Sequence, residues 1–79
     1  MDIQKIKKTT LAMMKSVSGL IASTAKELKE ATASQAIDNN MLCSLTDQLN
    51  ILSDASANLR TVLNDIAITE KRENNKENV

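Results

Sequence analysis

The segment LCSLTDQLNILSDASANLRTVLNDI, residues 42–66, places an aliphatic residue at almost every third or fourth position. The alternating spacing is the a and d pattern of a helix that packs along one stripe, and Ser56 is the only interruption. Met41, Ala55 and Val62 each precede an a position and widen the stripe, which favours a helix with two neighbours over a two-stranded zipper. The predicted partner-binding seam consists of Leu42, Leu45, Leu49, Leu52, Leu59, Val62, Leu63 and Ile66.

A second apolar stripe precedes this segment and predicts a first helix. Its apolar residues drift from one row to the neighbouring row, as a straight helix of about 3.6 residues per turn drifts past a strict heptad repeat. Gly19 lies inside this helix, where its small neighbours favour the close approach of a second backbone. The predicted packing face of the first helix consists of Ile3, Ile6, Met13, Met14, Val17, Leu20, Ile21 and Leu28.

The residues between the two stripes predict a turn within 33–40. Asp38, Asn39 and Asn40 are all favourable N-cap residues for a following helix, and Thr32 and Gln35 have the spacing of a capping box. The boundaries are then a first helix over about residues 2–32 and a second over about 40–69. Because no proline or glycine interrupts residues 20–69, one uninterrupted helix is the alternative.

Composition predicts an all-α protein that needs support from outside its own fold. The chain has 79 residues, no proline, no aromatic residue, no histidine and a single cysteine, Cys43. These features disfavour strands, a disulfide framework and a zinc site, so no metal or cofactor is expected. We therefore predict a coiled-coil-like antiparallel two-helix hairpin over residues 1–69, completed to a helical bundle by self-association or by a helical protein partner.

Charge is balanced overall, with ten basic and ten acidic residues, but it is unevenly distributed. Residues 1–30 carry six lysines against three acidic residues, and residues 31–69 carry one arginine against four aspartates. A candidate basic patch in the first helix consists of Lys5, Lys7, Lys8 and Lys15. This patch is the basis of an alternative function, a small regulator that binds nucleic acid or an anionic membrane.

The last ten residues, 70–79, contain Val79 as their only apolar residue and predict a disordered polar tail. Within it, Lys76, Glu77 and Asn78 resemble the KEN-box degron that the anaphase-promoting ubiquitin ligase recognises, a three-residue match that chance also produces. The terminal residues are also similar to a peptide that adds a strand to a PDZ domain.

The sequence favours a non-enzymatic protein–protein interaction module, a small helical adaptor or assembly subunit. It offers no histidine as general base and no glycine-rich phosphate loop, so an enzyme is not expected. The lack of aromatic residues disfavours nucleic-acid and membrane partners, and the lack of a long apolar run predicts a cytoplasmic or nuclear protein that is neither secreted nor transmembrane. In general form the chain resembles the small two-helix subunits of larger coiled-coil assemblies, an architectural likeness that implies no particular function.

Overall fold

The computed structural model describes residues 2–34, 36 and 38–77, and within them the chain forms an antiparallel helical hairpin. Helix α1 spans Ile3–Ala33 and helix α2 spans Asn39–Glu77. The hairpin is a narrow rod of 66 × 17 × 15 Å. The predicted all-α hairpin is therefore confirmed, and the alternative of one uninterrupted helix is wrong.

Two aspartates begin the two helices. Asp2 Oδ1 accepts hydrogen bonds from the backbone N–H groups of Gln4 at 3.1 Å and Lys5 at 3.2 Å. Asp38 Oδ1 accepts from the N–H groups of Asn40 at 3.0 Å and Met41 at 3.3 Å. Each carboxylate satisfies N–H groups that have no partner within the helix and carries a negative charge at its positive end. Of the three N-cap candidates before α2, Asp38 is the one that acts as the cap.

The predicted capping box at Thr32 does not form. Thr32 lies in the last turn of α1, where its hydroxyl donates to the Lys29 carbonyl at 3.0 Å, and Gln35 lies outside the described residues. The helix ends at Ser34, whose extended backbone leads out of the helix while its N–H donates to the Ala31 carbonyl at 3.4 Å. Asp38 is then the residue that sets the start of the second helix.

One heptad row from each helix faces the other, and we call these two rows together the inner rows. On α2 the row is the predicted a and d line with Ser56 included, and on α1 it keeps a strict heptad register because Lys7 occupies an a position. The α1 row is buried or half-buried at Ile3, Lys7, Thr10, Met14, Val17, Ile21, Thr24, Leu28 and Ala31. The α2 row is buried or half-buried at Leu42, Leu45, Leu49, Leu52, Ser56, Leu59, Leu63, Ile66 and Glu70.

Helix α2 continues to Glu77, where the sequence predicts its end near residue 69. Residues 70–77 contain glutamate, lysine and arginine, which favour helix. Glu70 also contacts α1 through Lys7. Helix propensity and this contact therefore extend the helix without apolar burial. Asn78 and Val79, which complete the KEN-box and PDZ resemblances, lie outside the described residues.

The interior of the hairpin is sparse. Among the described residues only Leu45 and Ile66 are buried hydrophobic residues, at 7% and 6% exposure, and no side chain is fully enclosed. Thr10 and Thr24 occupy two further buried positions, and the Thr10 hydroxyl donates to the Ile6 carbonyl at 2.8 Å. The radius of gyration is 18.3 Å, compared with about 12 Å for a compact domain of this length. Most large apolar side chains among the described residues are therefore only partly buried by the other helix.

Gly19 does not mark a close crossing of the two helices. A Cβ atom added to it would meet nothing within 4 Å. The expectation that Gly19 admits a second backbone within the hairpin is wrong, because the residue lies opposite the inner row of α1 and faces away from α2.

Candidate interaction surface

One long side of the hairpin carries most of the exposed large hydrophobic residues, and its middle part is free of charge. We call this middle part the central face. Helical spacing brings its members from α1 to the same side as its members from α2, because in an antiparallel pair the g positions of both helices flank the inner rows on one side. The central face consists of Met13, Ser16 and Leu20 on α1 and Ile51, Ala55, Asn58 and Val62 on α2.

An open groove of about 620 Å³ between the two helices runs through the central face. Met13 and Ser16 line it from α1, and Ala55 and Asn58 line it from α2. Its floor is formed by Val17 of one inner row and Leu59 of the other; Thr9 and Ala12 complete the lining. The groove therefore exposes the edge of the hairpin's own interior, together with small side chains that allow another helix to approach closely.

The exposed apolar residues are concentrated on this side. Of the seven large hydrophobic residues exposed in the described part of the chain, four belong to the central face: Met13, Leu20, Ile51 and Val62. Met41 lies on the same side near the turn, whereas Leu11 lies on the opposite side and Ile68 on the outer surface of α2. A cluster on one side is the pattern of an interaction surface, whereas isolated exposed hydrophobic residues are ordinary.

The predicted partner-binding seam lies mostly inside the hairpin. Leu45 and Ile66 are buried, and five other members, Leu42, Leu49, Leu52, Leu59 and Leu63, are half-buried between the helices. Val62 is the exception, because it is exposed at a g position on the central face. The first neighbour of the leucine row is therefore α1, and the exposed apolar surface lies beside the row.

The predicted packing face of α1 divides in the same way. Ile3, Ile6, Met14, Val17, Ile21 and Leu28 are half-buried. Met13 and Leu20, however, are 53% and 51% exposed and lie on the central face, so their assignment to the packing face is corrected. The predicted drift between rows arose from skipping Lys7. Lys7 is half-buried at an inner position, and its ammonium group lies against Glu70 of α2.

Lys7 separates from the rest of the candidate basic patch. Its Nζ lies 3.1 Å from Glu70 Oε1, an oxygen that is buried but receives no hydrogen bond of acceptable geometry. The ammonium charge therefore compensates a buried carboxylate oxygen by proximity, and its contribution is reduced by its own exposure to solvent. Lys5, Lys8 and Lys15 remain exposed on the outer surface of α1.

The described residues provide little for other chemistry. Cys43 is exposed and unpaired, and residues 2–34, 36 and 38–77 hold no group of three histidine, cysteine, aspartate or glutamate side chains placed to bind a metal. In the same part of the chain, neither helix has the length of apolar sequence required to cross a bilayer.

Ile51 is the functional candidate that the sequence-based residue sets omit. It is 69% exposed, the highest value among the exposed large hydrophobic residues, and it lies on the central face one turn before Ala55. It falls off both the a and d rows, so a search for heptad regularity passes over it. The available signal is an isoleucine at a c position that heptad packing does not explain.

Comparison of the chain with protein-family models, with curated proteins and with solved structures gave no significant match.

Proposed function

We propose that this chain is a non-enzymatic protein–protein interaction module whose central face packs against the helices of another protein chain to complete a helical bundle. The observation that carries this proposal is the concentration of Met13, Leu20, Ile51 and Val62 on one uncharged side of a hairpin with only two buried hydrophobic residues among those described. Burying such a face contributes roughly 25 cal/mol for each Å² of apolar surface removed from water.

The geometry also indicates the kind of partner. The groove between α1 and α2 is open, and small side chains are part of its lining. A helix lying along the rod can place apolar side chains in this groove, as helices do in four-helix bundles. A globular partner without an exposed helix would leave much of the 66 Å length uncovered.

The experiment compares two lysine substitutions on opposite sides of the hairpin. Leu20 and Leu11 are 51% and 49% exposed and lie on the same helix, but only Leu20 belongs to the central face. Labelled wild-type chain, Leu20→Lys and Leu11→Lys are added to an extract of the source cells, and their sizes are measured by fluorescence-detected sedimentation. We expect the wild type and Leu11→Lys to sediment in an assembly, and Leu20→Lys to sediment as the free chain.

The same experiment identifies failure clearly. If all three proteins sediment as folded monomers both in buffer and in extract, the chain has no partner on this face and the proposal is wrong. Equal loss of assembly in Leu11→Lys and Leu20→Lys would place the interaction elsewhere. Helicity measured by circular dichroism shows whether each exposed substitution leaves the hairpin folded.

A second candidate function is supported by the three exposed lysines on the outer surface of α1. Lys8 and Lys15 lie one heptad apart on the same stripe, where they could contact phosphate groups. Binding to RNA, DNA or anionic vesicles should then fall steeply as salt is added. It should disappear in a triple variant that carries Lys5→Gln, Lys8→Gln and Lys15→Gln. No binding by the wild-type chain at low salt would exclude this candidate.

A further inference from the structure

We propose that the partner on the central face is a second copy of this chain, packed antiparallel to the first about a two-fold axis near Ser16, so that two hairpins form a four-helix bundle. This inference rests on the proposed function, since it names the protein that covers the same face. In this arrangement α1 of one copy lies against α1 of the other, and α2 lies against α2.

The hairpin exposes more surface than a compact monomer of its mass, and the surplus is larger than the area that a standard dimer interface covers on each chain. The chain exposes 6274 Å², whereas a compact monomer of 8.6 kDa is expected to expose about 4,700 Å². The surplus is about 1,600 Å², and a stable interface of standard size buries about 800 Å² on each partner. Packing a second rod along the first would therefore remove about half of a surplus that the hairpin cannot remove by itself.

The large apolar residues that α1 contributes to the central face are arranged symmetrically about one level of the rod. Val17 and Leu59 line one groove and Ile21 and Ser56 line another, so α1 near residue 17 lies beside α2 near residue 59. Met13 and Leu20 lie about 5 Å to either side of this level. On α2, Val62 lies about 5 Å from this level on the side of Met13, and Ile51 lies about 12 Å from it on the side of Leu20.

A half-turn about an axis across the two helices at this level reverses the rod and brings apolar residues together. Met13 of one copy then meets Leu20 of the other, and Ile51 and Val62 lie along the contact between the two copies of α2. Ser16 lies next to the axis, so small side chains meet where the two copies of α1 come together. Such self-complementarity is the requirement of an isologous interface, in which the same patch serves both partners.

The charge distribution selects the antiparallel orientation. The half of the rod away from the turn, residues 2–18 and 56–74, carries seven basic and four acidic side chains, a net charge of +3. The half next to the turn, residues 19–55, carries two basic and five acidic side chains, a net charge of −3. Antiparallel packing places the positive half of each copy on the negative half of the other.

A parallel dimer would also bring apolar residues together, because it places α1 of one copy against α2 of the other and Met13 and Val62 lie at similar levels. It would, however, place like-charged halves together. These charges are exposed, so they bias orientation more than they hold the copies together. The apolar face therefore supplies the association and the charges choose between its two orientations.

The first experiment uses cysteine pairing in a Cys43→Ser background. Ser16 and Ser18 are both exposed residues of α1, but Ser16 lies on the central face next to the proposed axis and Ser18 lies on the opposite side. Under mild oxidation we expect Ser16→Cys to form a covalent dimer at least several-fold faster than Ser18→Cys. Equal rates in the two variants would overturn the proposed interface.

The second experiment measures orientation. Spin labels on Ser34→Cys, again with Cys43→Ser, should lie about 50 Å apart in the antiparallel dimer, because each label is about 17 residues from the two-fold level. A short separation of roughly one helix diameter, about 10 Å, would show a parallel dimer and overturn the inference. Dimer dissociation should also increase severalfold as salt is raised, since screening removes the attraction between unlike halves.

The outcomes separate this inference from the proposed function. A chain that is monomeric when purified but joins an assembly in extract through Leu20 would overturn the second copy as partner while the interaction module stands. A folded monomer under both conditions would overturn both. A purified dimer with the Ser16→Cys crosslink and the long label separation supports both.

Discussion

The inner rows and the central face use the same kinds of apolar residue but differ in regularity and in exposure. The inner rows follow strict heptads, and their large hydrophobic members are buried or half-buried. The central face carries its four large apolar residues at g and c positions beside those rows, where the hairpin leaves each of them exposed. Regularity thus identifies the surface that the chain covers itself, and apolar residues off the row identify the surface that the hairpin leaves exposed.

The largest expected difference between these two regions is in the free energy of unfolding. Leu45→Ala removes a buried side chain and should lower the stability of the hairpin by about 2 to 3 kcal/mol. Ile51→Ala removes one that is 69% exposed and should change the stability of the dissociated hairpin by less than about 0.5 kcal/mol. Urea unfolding at low protein concentration, followed by circular dichroism, measures both. Similar losses in the two variants would mean that Ile51 is covered within the chain.

A smaller effect is expected at the start of α2, which sets where the hairpin reverses. Asp38→Ala removes the acceptor for two backbone N–H groups and should cost about 1 kcal/mol. Asp38→Asn keeps an oxygen acceptor at the same position and should lose only a few tenths of a kcal/mol, about the value of the charge at the helix end. Thermal unfolding would compare the two variants. If they lose the same stability, the hydrogen bonds of the cap are not the cause.

Gly19→Ala should stabilise the hairpin by roughly 1 kcal/mol, because alanine favours the helix and the added methyl group meets no atom within 4 Å. Since Gly19 lies outside the central face, the mass of the assembly should not change. Thermal unfolding and sedimentation test the two parts of this prediction. A loss of association in Gly19→Ala would show that a partner packs on the outer surface of α1 and that the central face is incomplete as defined.

The smallest effect is expected for the ion pair between Lys7 and Glu70. A double-mutant cycle with Lys7→Gln and Glu70→Gln should give a coupling free energy of about 0.2 to 1 kcal/mol, because the Lys7 side chain remains 42% exposed. The coupling should decrease as salt is added. A coupling that salt does not change would indicate a desolvated pair, deeper in the hairpin than its exposure indicates.

The sequence predicts the hairpin because its strongest signals are local. The leucine row from Leu42 to Ile66 predicts α2 from the spacing of its own residues. The N-cap at Asp38 predicts where that helix begins, because its carboxylate binds N–H groups two and three residues later. The limits of the prediction arise at positions where the neighbouring helix decides. Lys7 occupies an apolar position because its charge meets Glu70, a residue 63 positions along the chain. A row identified from apolar residues alone omits Lys7, because lysine is charged.

The candidate surface is less accessible to prediction than the fold. Val62 is in the predicted partner-binding seam, whereas Met13 and Leu20 are assigned to the packing face of α1. Their common side becomes evident only when the relative rotation of the two helices is known, because that rotation brings g positions of α1 beside g positions of α2. Ile51 is found only at that stage.

The mass of the purified chain in solution tests the proposed dimer most directly. Sedimentation equilibrium over micromolar concentrations should give twice the 8.6 kDa of one chain, falling to 8.6 kDa for Ile51→Lys, while Leu11→Lys stays dimeric. Wild-type chain that remains at 8.6 kDa and unfolds cooperatively on its own would contradict the account, because the hairpin would then be stable with its central face open to water.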